Sequence, residues 1–171
     1  MSSSEWKKFR IGEVCTLGDG AHTKVKRLDT GVLYLTSKNI KNGKLILNDV
    51  SYISEEDFER LFSSSKSSVR NLQYGDVLIG IIGTIGNAYV YKRDDKFGVS
   101  SSVAILRPDV KTIDSKYLYF ILSSRFFQRM LSNVKGGSVQ GYTNLPLLRS
   151  LPIILPSISE QKSIADTLSL A

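Results

Sequence analysis

Pro152 and Pro156 fence Ile153-Ile154-Leu155 between them. Proline cannot continue a helix or donate to a central ladder, so these three apolar residues read as a short strand with fixed ends. Upstream lies Gly136-Gly137-Ser138-Val139-Gln140-Gly141-Tyr142-Thr143-Asn144, a glycine-rich polar loop. Downstream, Ser157 precedes Glu160 by three residues, the spacing of a capping box at a helix start. The order is therefore polar loop, rigid strand, capped helix. A loop held at both ends by rigid elements is suited to presenting side chains to a partner.

A chain of 171 residues, 42% of them hydrophobic, can bury one sizeable core. No apolar run approaches the roughly 20 residues of a membrane helix. The N-terminus lacks a signal-peptide apolar core, and its serines read as an added remnant. Cys15 is alone, which excludes an internal disulfide and makes the cytoplasm the expected compartment. One His and one Cys do not build a typical zinc site, so no metal or cofactor is expected.

The net charge is +7, which attracts polyanions. The charge is also segregated. Lys24, Lys26, Arg27, Lys38, Lys41 and Lys44 face only Asp29 in their stretch, whereas Asp49, Glu55, Glu56, Asp57 and Glu59 face only Arg60. One basic face and one acidic edge are expected.

Trp6, Phe9, Ile11 and Val14 are expected to anchor the N-terminus in the core. Val32 to Thr36, Leu45 to Leu47 and Val50 to Ile53 read as strands, with Ser37 to Gly43 as a polar turn. Ser37, Lys38 and Asn39 either meet phosphates and base edges or form a hydrated hairpin tip. Ser54 caps a helix whose first turn is acidic, and Phe58, Leu61 and Phe62 share its apolar face. Val77 to Ile82 and Ala88 to Tyr91 form a hairpin around Gly83-Thr84-Ile85-Gly86. A strand runs through Val103 to Pro108, and one long helix from its cap at Asp114 to about Ser132, ended by Gly136 and Gly137. The aromatic stripe of that helix reads as core, and Arg125 and Arg129 either bind phosphate or are solvated.

Several enzymatic signals fail on inspection. Gly18-Asp19-Gly20 lacks the lysine and spacing of a phosphate-binding loop. Gly80, Gly83 and Gly86 lead into a strand, not into the helix that a dinucleotide fingerprint requires. No Gly-x-Ser-x-Gly elbow is present, and His22 has no partner at triad or metal spacing.

Four pieces carry a family resemblance: the opening Trp6 to Val14 with its Gly-Glu-Val, the Gly75-Asp76 strand with its glycine hairpin, the Gly136 to Thr143 loop, and Pro156-Ser157-Ile158-Ser159-Glu160-Gln161. In this order the chain resembles a target recognition domain from the DNA-specificity subunit of type I restriction-modification systems. The resemblance implies an α+β fold: a mixed, strongly curved, β-rich recognition domain with a few packing helices. Residues 1–156 would be that domain. Residues 157–171 would be the truncated start of a C-terminal spacer helix that begins a coiled coil. A full subunit resembles two such domains separated by two long helices, so this is either an excised domain or a half-subunit.

The function implied is a non-catalytic, sequence-specific module for double-stranded DNA. It would direct separate modification (methyltransferase) and restriction subunits, with weak self-association through the short C-terminal helix. Candidate DNA contacts are Lys24, Lys26, Arg27, Ser37, Lys38, Asn39, Thr84, Ser101, Lys135, Ser138, Gln140 and Tyr142. The serine run at Ser100 to Ser102 departs from the amide residue often found there in related domains. Two alternatives stand beside this reading. One is a self-sufficient adenine methyltransferase or nuclease, for which Asn144-Leu145-Pro146-Leu147 is an incomplete motif. The other is a mobile-element protein that binds restriction-modification subunits.

Overall fold

The computed structural model describes residues 5–64, 66, 68–92, 96–134 and 143–171. Strand β1 (Lys7–Arg10) passes through a single helical turn, α1 (Ile11–Val14), into β2 (Cys15–Asp19). Strand β3 (Val32–Leu35) leads through a 3-10 turn, Ser37–Asn39, into the small hairpin β4 (Ile40–Lys41) and β5 (Lys44–Leu45). Strand β6 (Ser51–Ile53) precedes α2 (Glu55–Phe58), which continues as a π-helical turn, Glu59–Ser63. Then come β7 (Val77–Gly80), β8 (Ala88–Val90), β9 (Phe97–Val99) and β10 (Val103–Pro108). The last third holds α3 (Ser115–Ser123), α4 (Arg125–Val134), α5 (Leu145–Ser150), β11 (Pro152–Leu155) and α6 (Ile158–Ser169).

The central sheet has the order β2-β10-β7-β8 and is antiparallel throughout. Its middle strands are apolar without alternation because both faces are covered. In β10, Ala104 and Leu106 enter the core beneath the helices, while Val103 and Ile105 enter a second core on the other face. In β7, Val77 and Ile79 take the first side and Leu78 the second. The second face also holds residues of a smaller sheet, β6-β3-β9, in which β3 and β9 are parallel. The Pro-fenced segment is β11, and it pairs with β1, so the two ends of the chain close on each other. The fold is mixed α+β, as expected, with no closed barrel among the described residues.

Three of the expected helix caps form. Ser54 Oγ accepts the Asp57 N–H at 3.1 Å, Asp114 Oδ1 accepts from Tyr117 at 2.9 Å, and Ser157 Oγ accepts from Glu160 at 3.3 Å. The expected single helix from Asp114 is instead two. Ser124 is extended (φ −66°, ψ 148°) and its hydroxyl caps α4 by accepting the Phe127 N–H. The break lets Leu122 and Phe127, five positions apart, both be fully buried in one core. On one uninterrupted helix they would point about 140° apart.

One further expectation needs correction, and one element was not anticipated. Trp6 is half exposed, so the N-terminal anchor consists of Phe9, Ile11 and Val14 alone. The stretch after Asn144 is helical, because Asn144 Oδ1 accepts the Leu147 N–H and Pro146 fits a first turn.

Candidate nucleic-acid interface

The loops named by sequence leave from one junction, built on the turn Ser100-Ser101-Ser102. Its hydroxyls bond to each other, Ser100 Oγ to Ser102 Oγ, at 2.6 Å. Four neighbouring segments are tied to this turn or to its neighbours. Ser101 N donates to Ala21 O (3.0 Å), and Ser100 N donates to Leu35 O at the end of β3 (2.9 Å). Ser37 N donates to Ser102 Oγ (3.0 Å), while Ser37 Oγ donates to Ile82 O (2.6 Å). Ile81 N donates to Ser102 O, and Thr143 N donates to Ile81 O, both at 2.8 Å. The basic loop after Ala21, the 3-10 turn, the glycine bend after Ile82 and Thr143 therefore share one base.

The basic loop is closed at both ends. At its start, Asp19 holds His22 (2.6 Å) and Arg70 Nη2 (3.7 Å), so His22 is satisfied at the surface. At its end, Leu28 and Tyr52 exchange backbone bonds of 2.8 and 3.1 Å. Between them Lys24 and Lys26 are exposed and make no ion pair among the described residues. Arg27 is exposed, but its guanidinium lies 5.1 Å from the Tyr34 ring centroid and donates to Ser51 Oγ at 3.2 Å. Burial pushes the Tyr34 phenol above its ordinary range, with Arg27 pulling partly the other way.

The 3-10 turn departs from expectation. Ser37 and Asn39 are buried, at 5% and 3% exposure. Asn39 Oδ1 accepts from Thr36 N at 2.9 Å, and its Nδ2 donates to the carbonyls of Ile46 (3.0 Å) and Asp49 (2.9 Å). An amide that closes the 39–49 loop in this way is not presented to a base edge. This is neither of the two readings of Asn39 offered by the sequence. Lys38 is exposed and ion-paired with Asp49 at 3.0 Å. Thr84 is exposed on the glycine bend, and Ser101 is half-buried in the serine turn. At Gly80 a Cβ would come within 2.1 Å of the Thr84 carbonyl, so the bend folds this tightly only over glycine. Lys135, Ser138, Gln140 and Tyr142 lie outside the described residues.

The junction rests on Ser100, Ser102, Ile81 and Thr143, none of which the sequence reading named as a candidate DNA contact. A serine run carries no sign of whether its hydroxyls face solvent or other strands.

The chemistry available here is polar and cationic. Among the described residues, no group of three His, Cys, Asp or Glu side chains could hold a metal ion. Asn144, the first residue of the incomplete methyltransferase motif, spends its side chain capping α5. The acids Glu55, Glu56 and Asp57 lie in the first turn of α2. No described helix is long and apolar enough to cross a membrane.

Comparison with known proteins adds to this geometry. The family described as type I restriction modification DNA specificity domain matches residues 3–170. The type I restriction enzyme MjaVIII specificity subunit of Methanocaldococcus jannaschii is 28% identical, over 96% of this chain and 39% of its own length. The chain thus spans about two-fifths of the length of that relative. Two solved structures share the fold. The HsdS subunit from Thermoanaerobacter tengcongensis superposes with a TM-score of 0.65 at 19% identity, covering 96% of this chain and 36% of its own. The type I restriction-modification S subunit from M. genitalium gives 0.66 at 19% identity, covering 99% and 40%. By a family match that runs almost from end to end, over strands and loops gathered at one junction, the chain belongs to the type I restriction-modification DNA specificity domain family.

Proposed function

We propose that this chain is a sequence-specific reader of double-stranded DNA, and that it performs no chemistry itself. The observation that carries this reading is the common base of three polar loops and Thr143 at the Ser100-Ser102 turn, with Lys24 and Lys26, unpaired among the described residues, on one of them. A duplex needs several side chains held in fixed register, some neutralising phosphates and others meeting base edges. Lys24, Lys26 and Arg27 are assigned to phosphates, Arg27 from a position already ordered by Tyr34. Thr84 on the glycine bend is assigned to the groove. Lys135, Ser138, Gln140 and Tyr142, which precede Thr143 in sequence, remain assigned to DNA as read from sequence.

Relatives of this chain are named as specificity subunits of type I restriction enzymes. In that setting the methyl transfer and cleavage belong to separate modification and restriction subunits in the cytoplasm. Residues 157–171 then begin the spacer that joins this recognition domain to the rest of such an assembly, and the exposed Leu168 and Leu170 supply weak self-association there.

Selection from randomised duplexes tests the reading directly. A recovered consensus is expected, and Gln140→Ala should weaken binding to it more than to random DNA. Recovery of no consensus, or methyl transfer by the chain alone, would overturn the reading.

A further inference from the structure

The hairpin β4–β5 places two lysines directly opposite each other. In its register Ile40 pairs with Leu45, and Lys41 pairs with Lys44. Side chains alternate across a strand, so the two pairs face opposite ways. Ile40 is fully buried and Leu45 packs against the same core, which leaves both lysines outward and exposed. Like charges directly opposite one another destabilise a hairpin. Among the described residues neither lysine has a carboxylate partner.

The hairpin is nevertheless firmly built. Its turn, Asn42-Gly43, has φ of 51° and 74°, the two positive values that a tight I′ turn needs. Its base is closed by Asn39, and Ile46 N donates to Asn39 O at 2.8 Å. Its tip is pressed against the scaffold, where a Cβ at Gly43 would sit 2.5 Å from the Tyr119 hydroxyl. It begins one residue after the 3-10 turn fixed to the serine junction, so it stands beside the loops described above. An arm this rigid that keeps two unneutralised cations side by side is suited to an anion of the polymer's own backbone.

We propose that Lys41 and Lys44 form a phosphate clamp that grips the DNA backbone and sets the register of the neighbouring loops. The clamp rests on the DNA-reading function proposed above. It reads no sequence, because a lysine pair contacts phosphates without base information.

The test is titration of the chain into a fluorescently labelled random-sequence duplex at several KCl concentrations. Wild-type chain is compared with Lys41→Ala/Lys44→Ala, with Lys41→Arg/Lys44→Arg, and with Lys116→Ala/Lys162→Ala at the opposite end of β7. The slope of log affinity against log salt should fall by about 2 in the hairpin alanine variant. The arginine variant should restore it, and the distal variant should leave it near wild type. Thermal melting of the alanine variant should be equal to wild type or higher, since repulsion has been relieved. An unchanged slope in the alanine variant, with wild-type chain still binding, would overturn the clamp and leave the DNA reading standing. An equal fall in the distal variant would also overturn it, by showing diffuse attraction. If the wild-type chain binds no duplex at any salt, the DNA reading fails and the clamp fails with it.

Discussion

Gln161 Oε1 accepts the backbone N–H of Asp114 at 2.9 Å, across 47 residues. The same side chain, fully buried, donates Nε2 to the carbonyls of Thr112 and Pro156, both at 3.0 Å. The glutamine of the Pro-x-x-x-Glu-Gln helix start is therefore the fastening between α6 and the start of α3. Three hydrogen bonds to one amide, together with the buried Ala165, hold α6 against α3.

Replacement of that amide removes the partner of three backbone groups, of which the Pro156 carbonyl is buried and the other two part-buried. Gln161→Ala should cost about 2–3 kcal/mol, from unsatisfied donors and acceptors. Urea denaturation should show the loss as a lower midpoint at unchanged slope. Gln161→Glu should be worse than alanine at neutral pH, since it removes the donors and buries a carboxylate. A midpoint within experimental error of wild type for both would refute this role.

At the same end of the central sheet, Arg107 clamps Asp76 with Nε to Oδ1 at 2.9 Å and Nη2 to Oδ2 at 2.7 Å, and also reaches Asn71 O at 2.8 Å. Asp76 is 1% exposed, and without Arg107 its carboxylate would keep the Gln73 N–H at 2.8 Å but no countercharge. Arg107→Ala should destabilise by about 3–5 kcal/mol, the cost of a buried charge that loses its ion-pair partner. Calorimetric melting should show it, and Arg107→Lys should recover only part because the two-pronged geometry is lost.

The serine junction makes a separate prediction. Ser102→Ala removes the acceptor for Ser37 N and the partner of Ser100 Oγ. The expected cost is about 1–2 kcal/mol. Amide exchange of Ser37 should rise by more than the global loss explains, because its partner lies on the deleted hydroxyl. Sequence preference on DNA should weaken together with this local opening. Unchanged Ser37 protection would mean that the junction is held elsewhere.

Burial, with Asp109 adding a smaller push, raises the Cys15 thiol from an ordinary 9.0 to about 12. The folded chain thus holds this proton more tightly than the unfolded chain does. Stability from this group is complete below about pH 9 and falls as pH rises toward about 12. Aromatic disulfide reagents should leave Cys15 untouched at pH 8 and titrate one thiol on addition of urea. Cys15→Ser should reduce the alkaline component of the stability curve and leave the part that the raised Tyr34 and Tyr117 phenols supply. Fast labelling of the native chain would contradict this burial.

Much of this molecule was legible because the deciding chemistry is local. Ser54, Asp114 and Ser157 each sit three residues before the N–H they accept, so composition alone marks those helix starts. The β7–β8 hairpin was equally plain, since glycines at the bend and apolar runs on either side lie within about fifteen residues. The break at Ser124 was not legible. Its serine is a modest helix former either way, and what favours the break is a core that takes both Leu122 and Phe127. The helix α5 was hidden by two leucine-proline pairs that also suit a strand.

The sequence by itself determined the α+β class, the helix starts, the basic stretch and the family, because periodicity, capping and motif order need only neighbours in the chain. Tertiary structure alone decided which polar side chains are spent inside and which remain for a partner. Ser37 finds Ser102 across 65 residues and Ile82 across 45, while Asn39 turns inward to close its own loop. A hydroxyl or an amide has the same chemistry in either place. Only the strands that converge on it determine whether its hydrogen bonds are already made.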